Sequence, residues 1–293
     1  MSTILLTGHT GQVGWELQAA LAPMGSVMAP DHASMDLADP DAIRAAIRAA
    51  HPSVIVNAAA YTAVDKAEVE PALAARINAQ APEVMAVEAE RCGAMFVHYS
   101  TDYVFDGRKT TPYVETDATH PLSVYGRTKL DGELAITASG CKHLILRTSW
   151  VFSARRSNFV LTMLKLAQQR KELAVVTDQI GSPTWARSLA QATVKLLRSV
   201  ATGNRATGLY HLSASGTASR HELVRRIIDL SRQSGQGAEW AALRTATSAE
   251  FPLPAARPAY SVLDNGKIRR DFGVVMPPWE TQLRDCLSEL PLT

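Results

Sequence analysis

The chain has 293 residues, 46% of them hydrophobic and 20% charged, an ordinary globular composition that excludes a collagen-like, disordered or low-complexity protein. Thirty Lys and Arg oppose 28 Asp and Glu for a formal charge of +2, without the basic stripe of a nucleic-acid binder. Cys92, Cys141 and Cys286 are widely spaced and form no CxxC pair, so neither a disulfide framework nor a zinc site is expected and a reducing compartment fits.

In chain order, Thr3–Thr7 reads as a buried strand. Its apolar run Ile4–Leu6 ends at Gly8, too short for a signal peptide. No run approaches the roughly 18 apolar residues of a membrane span, so a soluble cytoplasmic protein is expected. The first strand runs through Gly8, Gly11 and Gly14 into a helix at Gln12–Ala22. Gly8 permits a tight turn, Gly11 lets backbone approach a pyrophosphate, and Gly14 lets helix pack on strand. The helix N-terminus offers free N–H groups and the positive end of its dipole to the anion. A strand at Ser26–Ala29 leads to Asp31, placed to accept hydrogen bonds from an adenosine ribose and so favour NADH over NADPH, with His32 able to soften that preference.

A helix at Pro40–Ala50, a strand at Ser53–Asn57 and helical stretches at Ala63–Glu70 and Pro71–Arg91 follow. Strands at Met95–Tyr99 and Lys142–Thr148 complete the first half. Strands separated by helical stretches require parallel crossovers, which predicts an α/β fold with a doubly wound, mostly parallel, Rossmann-like sheet. After Trp150 the alternation weakens. Helices are expected at Asn158–Arg170, Arg187–Val200, His221–Gln233 and Trp279–Leu290, and strands at Leu173–Val176 and Gly208–Leu212. The expected division is a dinucleotide-binding domain of residues 1–150 plus about 185–212, and a smaller substrate-binding lobe of about 151–184 and 213–293.

Tyr125 and Lys129 are four residues apart, a spacing that puts them on one side of a helix. A free phenol, with pKa around 10, is a poor acid at neutral pH. An adjacent ammonium is expected to stabilise the phenolate and lower that pKa. Tyr125 can then pass a proton to a carbonyl oxygen, and Lys129 can also bond cofactor ribose hydroxyls. Thr101, at the end of the fourth strand, can hydrogen-bond the same carbonyl oxygen.

Together these residues resemble the extended short-chain dehydrogenase/reductase superfamily, and within it the dTDP-4-dehydrorhamnose reductase family. The matching segments are TGHTGQVGWEL (Thr7–Leu17), VIVNAAAYTAVDK (Val54–Lys66), HYSTDYVF (His98–Phe105), YGRTK (Tyr125–Lys129), RTSWV (Arg147–Val151), DQIGSPT (Asp178–Thr184) and RPAYSVL (Arg257–Leu263). The resemblance implies reduction of the C4 ketone of a dTDP-linked 6-deoxy-hexulose to dTDP-L-rhamnose with NADPH or NADH. It implies Tyr125 and Lys129 as the catalytic pair, Thr101 as the carbonyl-binding hydroxyl, and Asp102 and Trp150 as substrate contacts. Implied cofactor contacts are Gly11, Gln12, Val13, Asp31, Asp36, Leu37, Ala60, Tyr61 and Thr62. Arg257, in a Pro-stiffened loop, is the first candidate for the substrate pyrophosphate because its planar fork suits phosphate oxygens. Some family members bind magnesium at a dimer interface through carboxylates. Glu16 matches the first, but Arg187 stands near the second, and a cation there opposes a hard metal. No metal is therefore expected, and a monomer or homodimer is. A non-catalytic subunit of the same fold and a sister nucleotide-sugar epimerase are the alternatives.

Overall fold

The computed structural model describes residues 2–233 and 239–290; the outer limits of the expected lobes, residues 1 and 293, lie outside them. Six strands form the central sheet: β1 (Thr3–Thr7), β2 (Ser26–Met28), β3 (Val54–Asn57), β4 (Met95–Thr101), β5 (His143–Thr148) and β6 (Gly208–His211). Their order is β6-β5-β4-β3-β1-β2, and every pairing is parallel. The fold class is therefore the doubly wound α/β arrangement expected.

The strands carry near-continuous apolar runs because both faces are covered. Ile4, Leu6, Val56, Val97 and Leu146 share one core with Leu17, Leu21, Leu189 and Leu196, which come from α1 (Gln12–Leu21) and, further along the chain, the helix Ala186–Ala201. Leu5, Ile55, Phe96 and Ile145 face the other core. It is closed by α2 (Pro40–Ala50), α3 (Ala81–Cys92) and α4 (Val124–Ala138).

The second half adds α5 (Phe159–Gln169), α6 (Ala186–Ala201), α7 (Arg220–Gln233), α8 (Gly266–Phe272) and α9 (Trp279–Leu287). Three short strand pairs join them: Glu172–Val176 with Ala242–Ala246, Val151–Phe152 with Thr184–Trp185, and Ile180–Gly181 with Ala218–Ser219. Among the described residues no helix is long and apolar enough to cross a membrane.

Two expected helices differ. Ala63–Glu70 contracts to Val64–Ala67. The continuous helix expected over Pro71–Arg91 is broken: Pro71–Ala75 is α-helical, Arg76–Gln80 forms a π turn, and α3 starts at Ala81. Pro82 has no N–H to give the Asn78 carbonyl four residues back, and the Ala81 N–H reaches five residues back to the Arg76 oxygen. α8 was not anticipated from the sequence pattern.

Strand order reverses between β1 and β3, with β2 on one side and β3 to β6 on the other. In such sheets ligands bind outside the carboxyl ends of the strands at this point.

Candidate active site

A cavity of about 720 Å³ opens at the reversal point. Gly8, Gly11, Gln12 and Val13 line it from the β1–α1 loop, and Ala58, Ala59, Ala60 and Thr62 from the end of β3. Gly8 takes φ +73°, and a Cβ on it would meet the Ala59 nitrogen at 2.6 Å. A Cβ on Gly14 would lie 2.0 Å from the Gly8 carbonyl oxygen, so only glycine lets α1 begin this close to β1. At Gly11, the residue preceding α1, the nearest such contact is 3.2 Å. The result is a shallow cradle of backbone beneath the N-terminus of a 10-residue helix, and it fits a dinucleotide pyrophosphate.

Thr101, Asp102, Tyr103, Tyr125 and Lys129 form the opposite wall. Ser123 starts α4 by accepting the Gly126 N–H at 3.2 Å. A Cβ on Gly126 would meet the Tyr103 carbonyl oxygen at 2.2 Å, so glycine inside YGRTK brings α4 against the turn that follows β4. Tyr125 and Tyr103 then meet edge to face with ring centroids 5.5 Å apart. Thr101 Oγ1 accepts the Tyr103 N–H at 3.1 Å.

The four-residue spacing places Tyr125 and Lys129 in one cavity, but their electrostatics differ from expectation. Burial pushes the Tyr125 phenol well above its ordinary pKa, while a hydrogen bond with Thr101 pulls the other way. Lys129 is only 1% exposed, and burial pushes its ammonium down to about 8 against the pull of Glu133. Lys129 Nζ donates to the Tyr99 carbonyl at 2.7 Å and lies 2.9 Å from His98 Nε2. The expected lowering of the phenol by an adjacent ammonium is therefore absent here, because removal from water costs both charged forms.

Asp102 is 2% exposed and receives the Ser149 hydroxyl at 3.1 Å; burial raises its carboxyl pKa against the neighbouring hydroxyl bonds. Trp150 also lines the cavity. Its φ is +47°, and its ring fits because Gly181 has no side chain: a Cβ there would meet Trp150 Cε2 at 2.4 Å. That assigns a physical role to the glycine of DQIGSPT. On the ring lies the Arg220 guanidinium, 3.5 Å from its centroid and 4.5 Å from that of Phe159.

Arg220 is the residue the sequence reading missed. It opens α7 and lines both the main cavity and an adjoining one of about 330 Å³. Burial lowers its pKa to about 10. Among the described residues its guanidinium has no ion-pair partner. An arginine next to a helix start carries no sequence signal; its position becomes visible only when the second half folds over the sheet.

Arg257, by contrast, lines the smaller cavity alone. It grips Asp65 through two bonds of 3.0 and 2.7 Å and donates to the Ala255 carbonyl at 2.7 Å, holding the Asp65 carboxyl below the usual range. Its charge is already balanced.

Asp31, Asp36, Leu37 and Tyr61 do not line the main cavity. Asp31 is exposed and accepts the Ser34 N–H and hydroxyl at 2.9 and 2.7 Å. Asp36 accepts the Ala38 N–H at 2.8 Å, and Leu37 packs against the core. The Tyr61 hydroxyl bonds Glu70, while its backbone is held by Asn78 at 2.8 and 3.1 Å. Asn78, in the π turn, thereby braces the Ala60–Thr62 loop. Glu16 accepts from Arg187 at 2.8 Å, and Arg187 also pairs with Glu289; a guanidinium occupies the position next to that carboxylate.

The RmlD substrate binding domain family matches residues 1–291. The chain is 46% identical to the dTDP-4-dehydrorhamnose reductase of Shigella flexneri over 98% of this chain and 97% of that protein. A crystal structure of dTDP-4-dehydrorhamnose reductase from Bacillus anthracis str. Ames in complex with NADP superposes with a TM-score of 0.91 at 33% identity, covering 99% of this chain and 100% of that one. A Clostridium acetobutylicum dTDP-4-dehydrorhamnose reductase gives a TM-score of 0.90 at 36% identity, covering 98% of each chain.

Proposed function

This chain belongs to the RmlD substrate binding domain family, and from that membership and its cavity we propose that it is an NAD(P)H-dependent dTDP-4-dehydrorhamnose reductase, reducing the C4 ketone of the sugar nucleotide to give dTDP-L-rhamnose. The observation that carries this reading is the meeting of Thr101, Tyr125 and Lys129 with the glycine cradle in one cavity.

When bound, the reduced nicotinamide supplies hydride. Gly8, Gly11, Gln12, Val13 and Gly14 are its proposed pyrophosphate cradle, Asp31, Asp36 and Leu37 serve its adenosine end, and Ala60, Tyr61, Thr62, Tyr125 and Lys129 complete its contacts. Thr101 and Tyr125 are the hydroxyls that receive the ketone oxygen. The raised phenol pKa keeps Tyr125 protonated, the form that can donate to an oxygen gaining negative charge. Asp102 and Trp150 contact the sugar.

The substrate pyrophosphate is assigned to Arg220, which borders both cavities and has no ion-pair partner among the described residues. The apolar side chains of Phe159, Met163, Phe251 and Leu253 in the smaller cavity suit a pyrimidine base. Arg257 borders that cavity with its charge spent on Asp65, so its role is to shape the nucleotide end.

The packing of α6 on α1 and of β6 on β5 supports grouping residues 1–150 with about 185–212 as the dinucleotide-binding part, and about 151–184 with 213–293 as the substrate part. A cytoplasmic enzyme acting as a monomer or homodimer belongs to the same proposal. The test is turnover of NADPH with purified protein across dTDP-4-dehydrorhamnose, other dTDP-4-keto sugars and UDP-glucose. Oxidation with the first alone supports the reading; oxidation with none, despite cofactor binding, favours a non-catalytic subunit.

A further inference from the structure

The loop between the strand Val151–Phe152 and α5 lies against the glycine cradle. Ser153 Oγ is 3.0 Å from Gln12 Oε1, and the Arg155 guanidinium lies 4.8 Å from the ring centroid of Trp15. Gln12 and Trp15 both belong to the opening turn of α1. A loop of the substrate part is thus fastened to the helix whose N-terminus forms the cradle. Asn158 shapes that loop from inside. Its Nδ2 donates to the Ser153 carbonyl at 2.9 Å and the Arg156 carbonyl at 3.1 Å, and its Oδ1 accepts the Leu161 N–H at 3.1 Å to start α5. The backbone so held is left-handed at Arg156, with φ +62°, a conformation that favours glycine over a long side chain. Among the described residues His51, Trp150 and Arg156 are the non-glycine positions with positive φ. His51 ends α2, whereas Trp150 and Arg156 both line the main cavity. Strained backbone of this kind gathers at ligand sites.

Arg156 is exposed, and its guanidinium has no hydrogen-bond or ion-pair partner among the described residues. The other cations lining the cavity are engaged. Lys129 is buried against the Tyr99 carbonyl, and Arg220 stacks on Trp150 and Phe159. The cradle itself offers backbone N–H groups and a helix dipole, while a dinucleotide diphosphate is fully charged. We propose that Arg156 is a binding residue for that diphosphate, a cation held at the mouth of the cradle by a strained loop. The substrate part of the chain then supplies a charged contact to the cofactor. A guanidinium fork suits phosphate oxygens. The fastening of its loop to α1, through Gln12 and Trp15, assigns Arg156 to the cofactor rather than to the sugar nucleotide. The inference rests on the dinucleotide site proposed above and adds a residue to it.

The test reads binding by calorimetric titration rather than turnover. ADP-ribose carries the cofactor diphosphate without the nicotinamide, and dTDP carries that of the substrate. Arg156→Gly removes the cation and suits a φ of +62°, so the melting temperature of the ligand-free variant should match or exceed that of the unsubstituted protein. Its Kd for ADP-ribose should rise about tenfold or more, the loss of one charge-assisted contact, while that for dTDP stays within about twofold. Arg156→Lys, under the same backbone strain, keeps the charge and should recover much of the ADP-ribose affinity. An unchanged Kd for ADP-ribose in Arg156→Gly overturns the proposal. So does equal weakening of both ligands, which marks a loosened loop, or weakening of dTDP alone, which moves Arg156 to the sugar nucleotide. Protein that binds ADP-ribose through Arg156 yet turns over no dTDP-sugar would strike the functional reading and leave this one standing.

Discussion

Tyr125 donates the proton in the proposed reaction, and a single oxygen carries that role. Tyr125→Phe keeps the ring edge against Tyr103 and removes the donor. kcat should fall by about 10²–10⁴, the usual worth of a general acid, while the NADPH dissociation constant stays within about twofold. Steady-state kinetics with fluorescence titration of the cofactor separates the two; near-normal turnover would remove Tyr125 from the chemistry. Arg220 offers a second test. Arg220→Met fills much of the space over Trp150 but has no charge, so KM for the sugar nucleotide should rise about ten- to a hundredfold, the loss of one charge-assisted bond of about 1.5–3 kcal/mol. Arg257→Ala should instead lower the melting temperature, because it strands Asp65 and the Ala255 carbonyl. A substrate KM that moves only with Arg257 would reverse these assignments.

At the scale of elements, the segment Ile180–Gly181 and the Trp150 corner form one device. Gly181→Ala would put a methyl 2.4 Å from Trp150 Cε2, on a ring already backed by Arg220. We expect a loss of about 1–3 kcal/mol in stability from overpacking, together with a raised sugar-nucleotide KM. Urea unfolding and initial rates check both, and an unaltered KM would separate Trp150 from the substrate. Much of this level is legible in the sequence. Apolar runs at Ile4–Leu6 and Val54–Val56 announce strands buried on both faces, and Gly8, Gly11 and Gly14 announce the cradle because each glycine answers a local steric need. What is not legible is set by contacts between distant segments. YGRTK gives the facing of Tyr125 and Lys129, but the burial of the lysine against His98 and the Tyr99 carbonyl of β4 depends on the fold of the sheet. The break at Arg76–Gln80 follows from Pro82, yet its use in bracing Tyr61 through Asn78 depends on the fold of the preceding loop. Arg220 and Arg257 look alike in sequence; Asp65, 192 residues before Arg257, distinguishes them.

For the molecule as a whole, the two fully buried histidines shape the response to mild acid, above the range in which the paired carboxylates titrate. His98 and His211 are each 0% exposed, and burial lowers both pKa values, that of His211 to about 3. Above about pH 6.5 neither folded nor unfolded histidines bind protons, and stability from this source is complete. As pH falls below that value the unfolded chain takes up protons that the folded state refuses, so stability declines by about 1.4 kcal/mol per pH unit for each histidine. Urea midpoints between neutral and mildly acidic pH should show that decline. His211→Asn keeps a donor for the Tyr113 carbonyl and removes the titration, so its slope should be shallower by one histidine's share; an identical slope would contradict the assignment. Asp102, raised by burial, acts in the opposite sense, so the comparison with the variant isolates the histidine term.

The central claim is that this cavity delivers hydride to C4 of a dTDP-linked 4-keto-6-deoxy sugar while Tyr125 supplies the proton. NADPH deuterated at the transferable C4 position, incubated with the protein and dTDP-4-dehydrorhamnose, tests it directly. The account predicts one deuterium at C4 of the product hexose for each NADPH oxidised, with the rate of its appearance suppressed in Tyr125→Phe. Product without label, label at another carbon, or no oxidation by protein that binds both ligands would contradict it.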